Sequence, residues 1–165
     1  MKHESSQSPY SVLKAKPSAA HYALALISNT KYLKVIAPSA KLTLITQCVD
    51  GLSIKAFLKA CPGLQSSEYI YEIYGNLLDT LCTGCKESKR NTESPICQAL
   101  KETSSDNKNA VREIPREDLP HCQKCGGLLR PGVVWFGETT PRHGEVLKIV
   151  AGADVALVVG TSTAS

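Results

Sequence analysis

The sequence predicts an α/β protein in which a small cysteine-rich module interrupts a partly parallel sheet. Helix-like and strand-like segments alternate on both sides of the module, as in proteins whose strands are joined by crossover helices. The run Asp154–Val159 (DVALVV) is apolar on both faces, which is typical of a parallel strand covered by helices. Between the two sides lie a pair of C-x-x-C motifs in a polar stretch.

The first side alternates helix and strand. A Pro-Ser start followed by alanines and leucines predicts a helix over Pro17–Asn29. The β-branched and leucine run Lys41–Thr46 and the aromatic run Tyr69–Tyr74 predict strands. Between them, Leu52–Ala60 predicts a short helix that ends ahead of Pro62.

The second side is predicted as strand, helix, strand. Leu128–Phe136 and Asp154–Val159 have strand composition, and Arg142–Ala151 has helix composition. The last strand runs directly into Gly160, Thr161 and Ser162. Ligands of open α/β sheets bind at the carboxyl ends of the strands. This loop is therefore a candidate binding edge.

Composition narrows the class of protein. A chain of 165 residues with 42% hydrophobic and 21% charged residues can bury one ordinary core. The net charge of +4 comes from basic residues scattered among nearly as many acids, so we expect no nucleic-acid partner. No apolar run approaches the roughly 20 residues of a membrane span. Residues 1–9 lack the apolar segment of a secretion signal, and we expect a protein that is not secreted.

Four of the seven cysteines form the two C-x-x-C pairs, Cys82 with Cys85 and Cys122 with Cys125. Two residues between thiolates let both sulfurs face one ion, and four thiolates at about 2.3 Å make the closed tetrahedron of structural zinc. Zinc would also stabilise a segment too polar to form its own core. Two disulfides or a redox dithiol are the alternatives. The other three cysteines are expected to be buried small apolar residues or spare thiols: Cys48, Cys61 and Cys97.

Seven segments resemble the sirtuin family, most closely the sirtuin-five type of mitochondrial lysine deacylase. Their order and spacing follow the family from about Lys14 onward. They are KPSAAHYALALI at 16–27, TQCVDGL at 46–52, EIYGNL at 72–77, CTGC at 82–85, SPICQAL at 94–100, CGGLLRPGVVWFGE at 125–138 and LVVGTS at 157–162.

The resemblance implies a partial Rossmann-like, NAD-binding parallel sheet with an inserted zinc ribbon. On this basis residues 1–15 are expected to be a disordered tail. Residues 16–75 and 135–165 would form the NAD-binding part, and residues 76–134 the zinc-binding insertion. The family removes acyl groups from lysine in a protein or peptide and transfers them to ADP-ribose. A mitochondrial location is also implied, with cytoplasm or nucleus as alternatives.

The resemblance also assigns site residues by motif match. The NAD-facing positions are Gln47, Cys48, Asp50, Gly160, Thr161 and Ser162. The groove in which a peptide adds as an extra strand is formed by Val133, Trp135, Phe136, Gly137 and Glu138. Simpler interpretations exist: Asp50 could only make a turn, the two aromatic residues could belong to the core, and Gly160 could only end a strand.

Three positions depart from the family pattern. Tyr74 stands where the family has its general-base histidine, Cys48 where it has asparagine, and Ser53 where it has a second histidine. An imidazole accepts a proton near neutral pH, whereas a phenol keeps its own until about pH 10.

No glycine-rich phosphate loop precedes Lys16, and the first glycine is Gly51. We therefore expect a truncated deacylase with weak or no activity. The alternative is a noncatalytic zinc-ribbon module that binds peptides, and a nucleic-acid-binding ribbon ranks last. Open sheet edges also predict an oligomer or a partner chain.

Overall fold

A computed structural model describes residues 9–101 and 114–161. The helices are α1 (Pro9–Lys14), α2 (Ala19–Ser28), α3 (Thr30–Ile36), α4 (Leu52–Ala60), α5 (Gln98–Lys101) and α6 (His143–Ala151). The strands are β1 (Leu44–Thr46), β2 (Ile70–Glu72), β3 (Gly75–Cys82), β4 (Ser88–Arg90) and β5 (Leu129–Val133). In these two ranges, no helix combines the length and the apolar character that crossing a membrane requires.

The two predicted strands of the first side form a parallel pair. β1 and β2 run side by side with Leu44 opposite Ile70 and Thr46 opposite Glu72. Both are shorter than predicted, because pairing is limited to the residues that face each other. Helices on the sheet and a parallel register confirm the predicted α/β class.

The core lies between α2, α4 and this strand pair. Ala25 of α2, Phe57 of α4 and Ile70 of β2 are almost completely buried. The Phe57 ring stacks on Tyr69 with 5.2 Å between centroids. Burying one such aromatic side chain stabilises a fold by about 1.5–3 kcal/mol. This packing explains why α4 covers the predicted range Leu52–Ala60.

The predicted helix at Pro17–Asn29 is confirmed apart from its ends. Ser18 stands at the start, where its backbone N–H donates to His21 Nδ1 at 3.2 Å. A second helix, α3, follows directly and was not predicted. Its first residues are held by Asn29, whose side chain accepts a 2.9 Å hydrogen bond from the Lys31 amide.

A three-stranded antiparallel sheet carries the cysteine pairs. Its order is β4, β3, β5, and its register shifts at a bulge between Asn76 and Thr80. Gly75 has φ +77°, and a Cβ there would overlap the Gly132 carbonyl oxygen. Only glycine permits so close a crossing of the two strands. The strand predicted at Leu128–Phe136 is confirmed over Leu129–Val133.

The prediction of a strand at Asp154–Val159 is wrong. These residues adopt neither helix nor strand, and Val155, Leu157 and Val159 are 77–88% exposed. A parallel strand needs a neighbour on which its amide groups can bond. Within the described residues, neither of the two sheets includes this segment.

The helix predicted at Arg142–Ala151 is confirmed as α6, which begins one residue later, at His143. Arg142 fixes this helix to the parallel strand pair. That residue adopts a left-handed φ of 58°. Its guanidinium lies 4.1 Å from the centre of the Tyr71 ring and donates to the Ser67 carbonyl oxygen at 3.2 Å. A cation over an aromatic face is favourable, and the contact links the two sides of the sequence.

Part of the predicted tail is helical. α1 covers Pro9–Lys14, and Val12 is buried to 4% exposure beside β3. Its buried apolar side chain gives this segment an anchor that the sequence pattern did not reveal. Residues 1–8 lie outside the described ranges.

Candidate metal centre and sheet-edge site

The two cysteine pairs meet at one point. Cys82 Sγ lies 3.4 Å from Cys125 Sγ, and Cys85 Sγ lies 3.8 Å from Cys122 Sγ. All four sulfurs fall within 4.8 Å of one another. Sulfurs at the corners of a tetrahedron with 2.3 Å metal bonds lie about 3.8 Å apart. The spacing fits zinc and is far longer than the about 2.05 Å of a disulfide.

The two pairs share one backbone conformation. The amide of Lys86 donates to the Cys82 carbonyl oxygen at 3.2 Å, and the amide of Gly126 donates to that of Cys122 at 2.8 Å. Both donors stand four residues after the first cysteine of their pair and both have positive φ, 60° and 70°. The matching turns aim both pairs of sulfurs at the same point.

Two glycines let the turns approach each other. A Cβ on Gly127 would lie 3.0 Å from Cys82 Sγ, and one on Gly84 would lie 3.3 Å from Cys125 Sγ. Contacts this short crowd a methyl group against the sulfurs. Larger residues at these positions would therefore push the sulfurs apart.

The pKa values of two of the thiols, Cys125 and Cys85, are shifted in opposite directions. The Gly127 amide, aided by the neighbouring thiols, lowers the pKa of Cys125 to about 6. At Cys85 the Glu87 amide lowers the pKa, but the surrounding thiols and some desolvation outweigh it and raise the pKa to about 12. A bound zinc ion would favour the thiolate form of its ligands.

A second group of predicted residues lies at the carboxyl end of β1. Thr161 Oγ1 donates a 2.6 Å hydrogen bond to Gln47 Oε1, and both residues are exposed. Cys48 is also exposed, and its amide donates to Thr46 Oγ1 at 3.1 Å. Gly160 has φ +69°. Ser162 lies outside the described residues.

Asp50 makes the local turn that the simpler interpretation expects. Its Oδ1 accepts a 3.0 Å hydrogen bond from the Leu52 amide at the start of α4. Gly51, between them, has φ +69°. Asp50 is half-buried.

Asn76 supports this loop and was missed by the sequence interpretation. It is 1% exposed, and its Nδ2 donates to Glu72 Oε2 at 2.8 Å. The same nitrogen would lie 2.8 Å from a Cβ on Gly51. Leu77 adds a 2.8 Å backbone bond to the Val49 carbonyl oxygen. The start of β3 therefore sets the position of residues 47–51.

Glu72 is a second partly buried acid in this region. Its Oε1 is buried without a hydrogen-bond partner in the described residues. Desolvation raises the pKa of this carboxyl, although the Asn76 amide and Arg90 lower it. The signal for both residues was present in the sequence, since Glu72 and Asn76 stand inside EIYGNL, but burial cannot be seen there.

Tyr74 connects the loop region to the predicted peptide groove. Its side chain is 38% exposed, and its carbonyl oxygen accepts a 2.9 Å hydrogen bond from the Val134 amide. Trp135 is 54% exposed and Phe136 is 98% exposed. The alternative that these two aromatic residues belong to the core is therefore wrong.

Arg130 and Glu138 close the loop that carries the aromatic pair. Arg130 donates to Glu138 Oε1 at 2.6 Å and to the Val133 carbonyl oxygen at 2.9 Å. Glu138 Oε2 accepts from the Trp135 amide at 3.0 Å. That amide, followed by Arg130 and Lys86, lowers the pKa of the Glu138 carboxyl. Arg130 was not predicted, although it stands within CGGLLRPGVVWFGE.

A helix-covered parallel strand pair joined to a four-cysteine ribbon defines an α/β protein with a zinc-ribbon insertion. The chain belongs to the Sir2 family, whose model matches residues 3–165. The predicted family is therefore confirmed.

The chain is similar to two protein deacylases over most of its length. It is 40% identical over 159 residues to the mitochondrial NAD-dependent protein deacylase sirtuin-5A of Xenopus laevis, and the match covers 92% of this chain and 47% of that protein. It is 37% identical to an NAD-dependent protein deacylase of Pyrococcus abyssi, covering 92% and 49%. The chain thus spans about half the length of the curated relatives it matches.

Solved Sir2 structures resemble the fold. One is a Sir2 homologue in complex with NAD, with TM-score 0.52, 33% identity and coverage of 83% of this chain and 39% of that one. Another is a histidine-to-tyrosine mutant of Sir2 with a p53 peptide and NAD. Its TM-score is 0.52 at 26% identity, with coverage of 86% and 46%.

Proposed function

We propose that this chain carries the NAD-binding edge and the peptide loop of a sirtuin-type protein lysine deacylase, with weak or no turnover. The observation that carries the proposal is the hydrogen bond between Thr161 and Gln47. It joins two residues that are 114 positions apart, and each lies in a segment that resembles a sirtuin motif. Polar groups at the carboxyl end of a parallel strand suit a nucleotide.

NAD supports the reaction as acyl acceptor in the family: when bound, it supplies the ADP-ribose that takes the acyl group. Gln47, Asp50 and Thr161 are the described polar residues that we assign to it, with Gly160 allowing close approach of the backbone. Cys48 lacks the paired donor and acceptor of an amide, so its contribution is weaker than that of asparagine.

The exposed aromatic pair supports peptide binding. Trp135 and Phe136 stand next to each other at the end of β5 with most of their surface open. Large apolar side chains presented in this way are common at peptide-binding surfaces. The Sir2 structures with a p53 peptide support the choice of an acylated-lysine peptide as ligand.

The tyrosine at position 74 supports the proposal that turnover is weak or absent. A general base contributes about 10²- to 10⁴-fold to rate, and a phenol is a poor base near neutral pH. The histidine-to-tyrosine mutant of Sir2 is described in complex with both peptide and NAD. That complex supports the proposal that a chain with Tyr74 binds a peptide and NAD, and the poor basicity of the phenol supports the proposal that it reacts slowly.

Nicotinamide release tests the proposal. The purified chain is mixed with an acetyl-lysine peptide, with and without NAD, and binding and nicotinamide are measured in parallel. We expect peptide affinity to increase when NAD is present, and nicotinamide to form slowly or not at all. A chain that binds neither NAD nor peptide would refute the proposal.

The second candidate is a noncatalytic ribbon module that binds peptides. The observation that favours it is the exposure of Phe136, 98%, combined with a tyrosine at the base position. Peptide binding that is indifferent to NAD would support this candidate over the first.

We propose that the four cysteines hold one structural zinc ion and that residues 76–134 are the zinc-binding insertion. Four protein ligands leave no open position for water on the metal, so zinc would stabilise the fold without taking part in the reaction. Residues 16–75 and 135–165 would form the NAD-binding part. Limited proteolysis that cuts near the two boundaries first would support this division.

We also propose a mitochondrial location. Sirtuin-5 proteins of Xenopus laevis and Danio rerio are named mitochondrial, and this chain is 38–40% identical to them. Cell fractionation with an antibody to the chain tests it, and a purely cytosolic or nuclear signal would exclude it.

A further inference from the structure

Arg130 and Glu138 together fix the loop after β5. The guanidinium of Arg130 donates to two acceptors, Glu138 Oε1 at 2.6 Å and the Val133 carbonyl oxygen at 2.9 Å. The other carboxylate oxygen of Glu138 accepts from the Trp135 amide at 3.0 Å. A charged fork that bonds both a carboxylate and a carbonyl is geometrically specific. The loop is therefore closed at both of its ends.

Four backbone groups that an added strand could use are occupied, two of them by the side chains of Arg130 and Glu138. The Val133 carbonyl oxygen is bonded to Arg130, and the Val134 amide is bonded to the Tyr74 carbonyl oxygen. The Trp135 amide is bonded to Glu138 Oε2, and its carbonyl oxygen accepts from the Glu138 amide. In this conformation these four backbone groups are already hydrogen-bonded within the chain.

We propose that Arg130 and Glu138 are positioning residues, which hold the Trp135–Phe136 loop in the conformation that a peptide encounters. The effect on peptides rests on the proposed function, whereas the effect on the loop does not. Glu138 thereby acts through the loop backbone, and its carboxylate is not a direct groove contact. Among the described residues, the hydrogen bonds of the two side chains run to each other and to the backbone of Val133 and Trp135.

The chain offers a matched control pair. Arg90 donates to Asp79 at 2.9 Å at the surface, where the two residues lie on neighbouring strands. Its exposure of 47% for Arg90 and 33% for Asp79 is comparable to 24% for Arg130 and 42% for Glu138. It joins β3 to β4, and within the described ranges no side-chain hydrogen bond links it to the aromatic loop. Asp79→Asn therefore removes an ion pair without releasing the loop.

Trp135 is the only tryptophan in the sequence, so its fluorescence reports this loop directly. The variants Glu138→Gln, Arg130→Gln, Arg130→Lys and Asp79→Asn are compared with the parent chain for emission maximum, acrylamide quenching and anisotropy. Circular dichroism and zinc content establish that each variant is folded. We expect Glu138→Gln and Arg130→Gln to increase quenching and lower anisotropy, and Arg130→Lys to be intermediate.

Peptide titration adds a second measurement. We expect Glu138→Gln to weaken binding of an acetyl-lysine peptide about three- to ten-fold, and Asp79→Asn to leave it unchanged. The double variant of Arg130 and Glu138 should be no worse than the single variants, because both disrupt one arrangement.

Two outcomes would overturn the proposal. In the first, Trp135 fluorescence in Glu138→Gln and Arg130→Gln equals that of Asp79→Asn. In the second, the effects of the two single variants simply add. If the parent chain binds no peptide, the proposed function fails, but the fluorescence comparison still decides whether the pair positions the loop.

Discussion

Thr161 Oγ1 donates a 2.6 Å hydrogen bond to Gln47 Oε1. The contact joins the end of β1 to the end of an apolar segment whose own residues make no strand. It is therefore a side-chain connection between two distant parts of the sequence. Its position at the carboxyl end of the parallel pair makes it the best test of the nucleotide edge.

We expect Thr161→Val to weaken NAD binding about two- to ten-fold, because one hydrogen-bonding hydroxyl is lost while the shape is kept. Isothermal calorimetry with NAD measures the change. Thr80→Val is the control, since Thr80 Oγ1 donates a comparable hydrogen bond to the Lys89 carbonyl oxygen in the three-stranded antiparallel sheet. Equal affinities in the two variants would remove Thr161 from the site.

Metal content should depend on the four clustered cysteines alone. We expect one zinc per chain, and its loss in Cys82→Ser or Cys125→Ser. Apparent binding free energies of structural zinc are about 10–16 kcal/mol, so loss of the metal should unfold the ribbon sheet. Elemental analysis and circular dichroism measure both effects. Cys48→Ser, an exposed cysteine outside the cluster, should keep its zinc.

Glu72 should make stability depend on pH. Burial raises the pKa of this carboxyl, so the folded state holds the proton more tightly than the unfolded chain. The free energy of unfolding therefore falls as pH rises from the ordinary glutamate value of 4.5 through the raised one. We expect the Tm advantage of Glu72→Gln over the parent chain to grow between acidic and neutral pH.

The control for Glu72 is Glu93→Gln, which removes a carboxylate at an exposed position. If the two variants behave alike, Glu72 does not carry the pH dependence. Asn76 can still donate to the oxygen of a glutamine at position 72, so the variant tests the charge and preserves that hydrogen bond.

Glu138 should respond to acid in the opposite direction. The Trp135 amide, Arg130 and Lys86 lower its pKa, so its stabilising contacts are present above the ordinary value of 4.5 and are lost as pH falls through the lowered value. Trp135 fluorescence should therefore change with a midpoint below that value. Glu138→Gln should lack this transition, and its persistence there would assign it to another group.

The sequence was sufficient for elements whose own residues supply their packing. α4 begins and ends where Leu52–Ala60 predicts, because Phe57 and its neighbours face a core built from nearby elements. The four cysteines were predicted together because their spacing alone determines which sulfurs can meet. For Asp154–Val159 the same kind of pattern failed, since a strand depends on a partner that its own composition does not describe.

Support residues were the hardest to predict. Asn76 looks like a surface residue by type, but it is 1% exposed because Gly51 leaves room for its amide. Arg130 looks like a charged residue of a strand, and its two acceptors lie three and eight residues further on. Both roles follow from the path of the backbone through bulges and turns, which periodicity does not encode.

Restoring the missing base should not restore turnover by itself. Tyr74→His places an imidazole where the family has its histidine, and the 38% exposed side chain leaves room for the change. The Tyr74 carbonyl bond to Val134 involves the backbone and should persist. Cys48 and Ser53 nevertheless remain, and neither provides the amide or imidazole groups of the family. The effects of residues that act together in catalysis are not additive.

We therefore expect nicotinamide release by Tyr74→His to stay near that of the parent chain, and to rise only when Cys48→Asn and Ser53→His are added. Robust NAD-dependent deacylation by the single variant would show that Cys48 and Ser53 are compatible with catalysis.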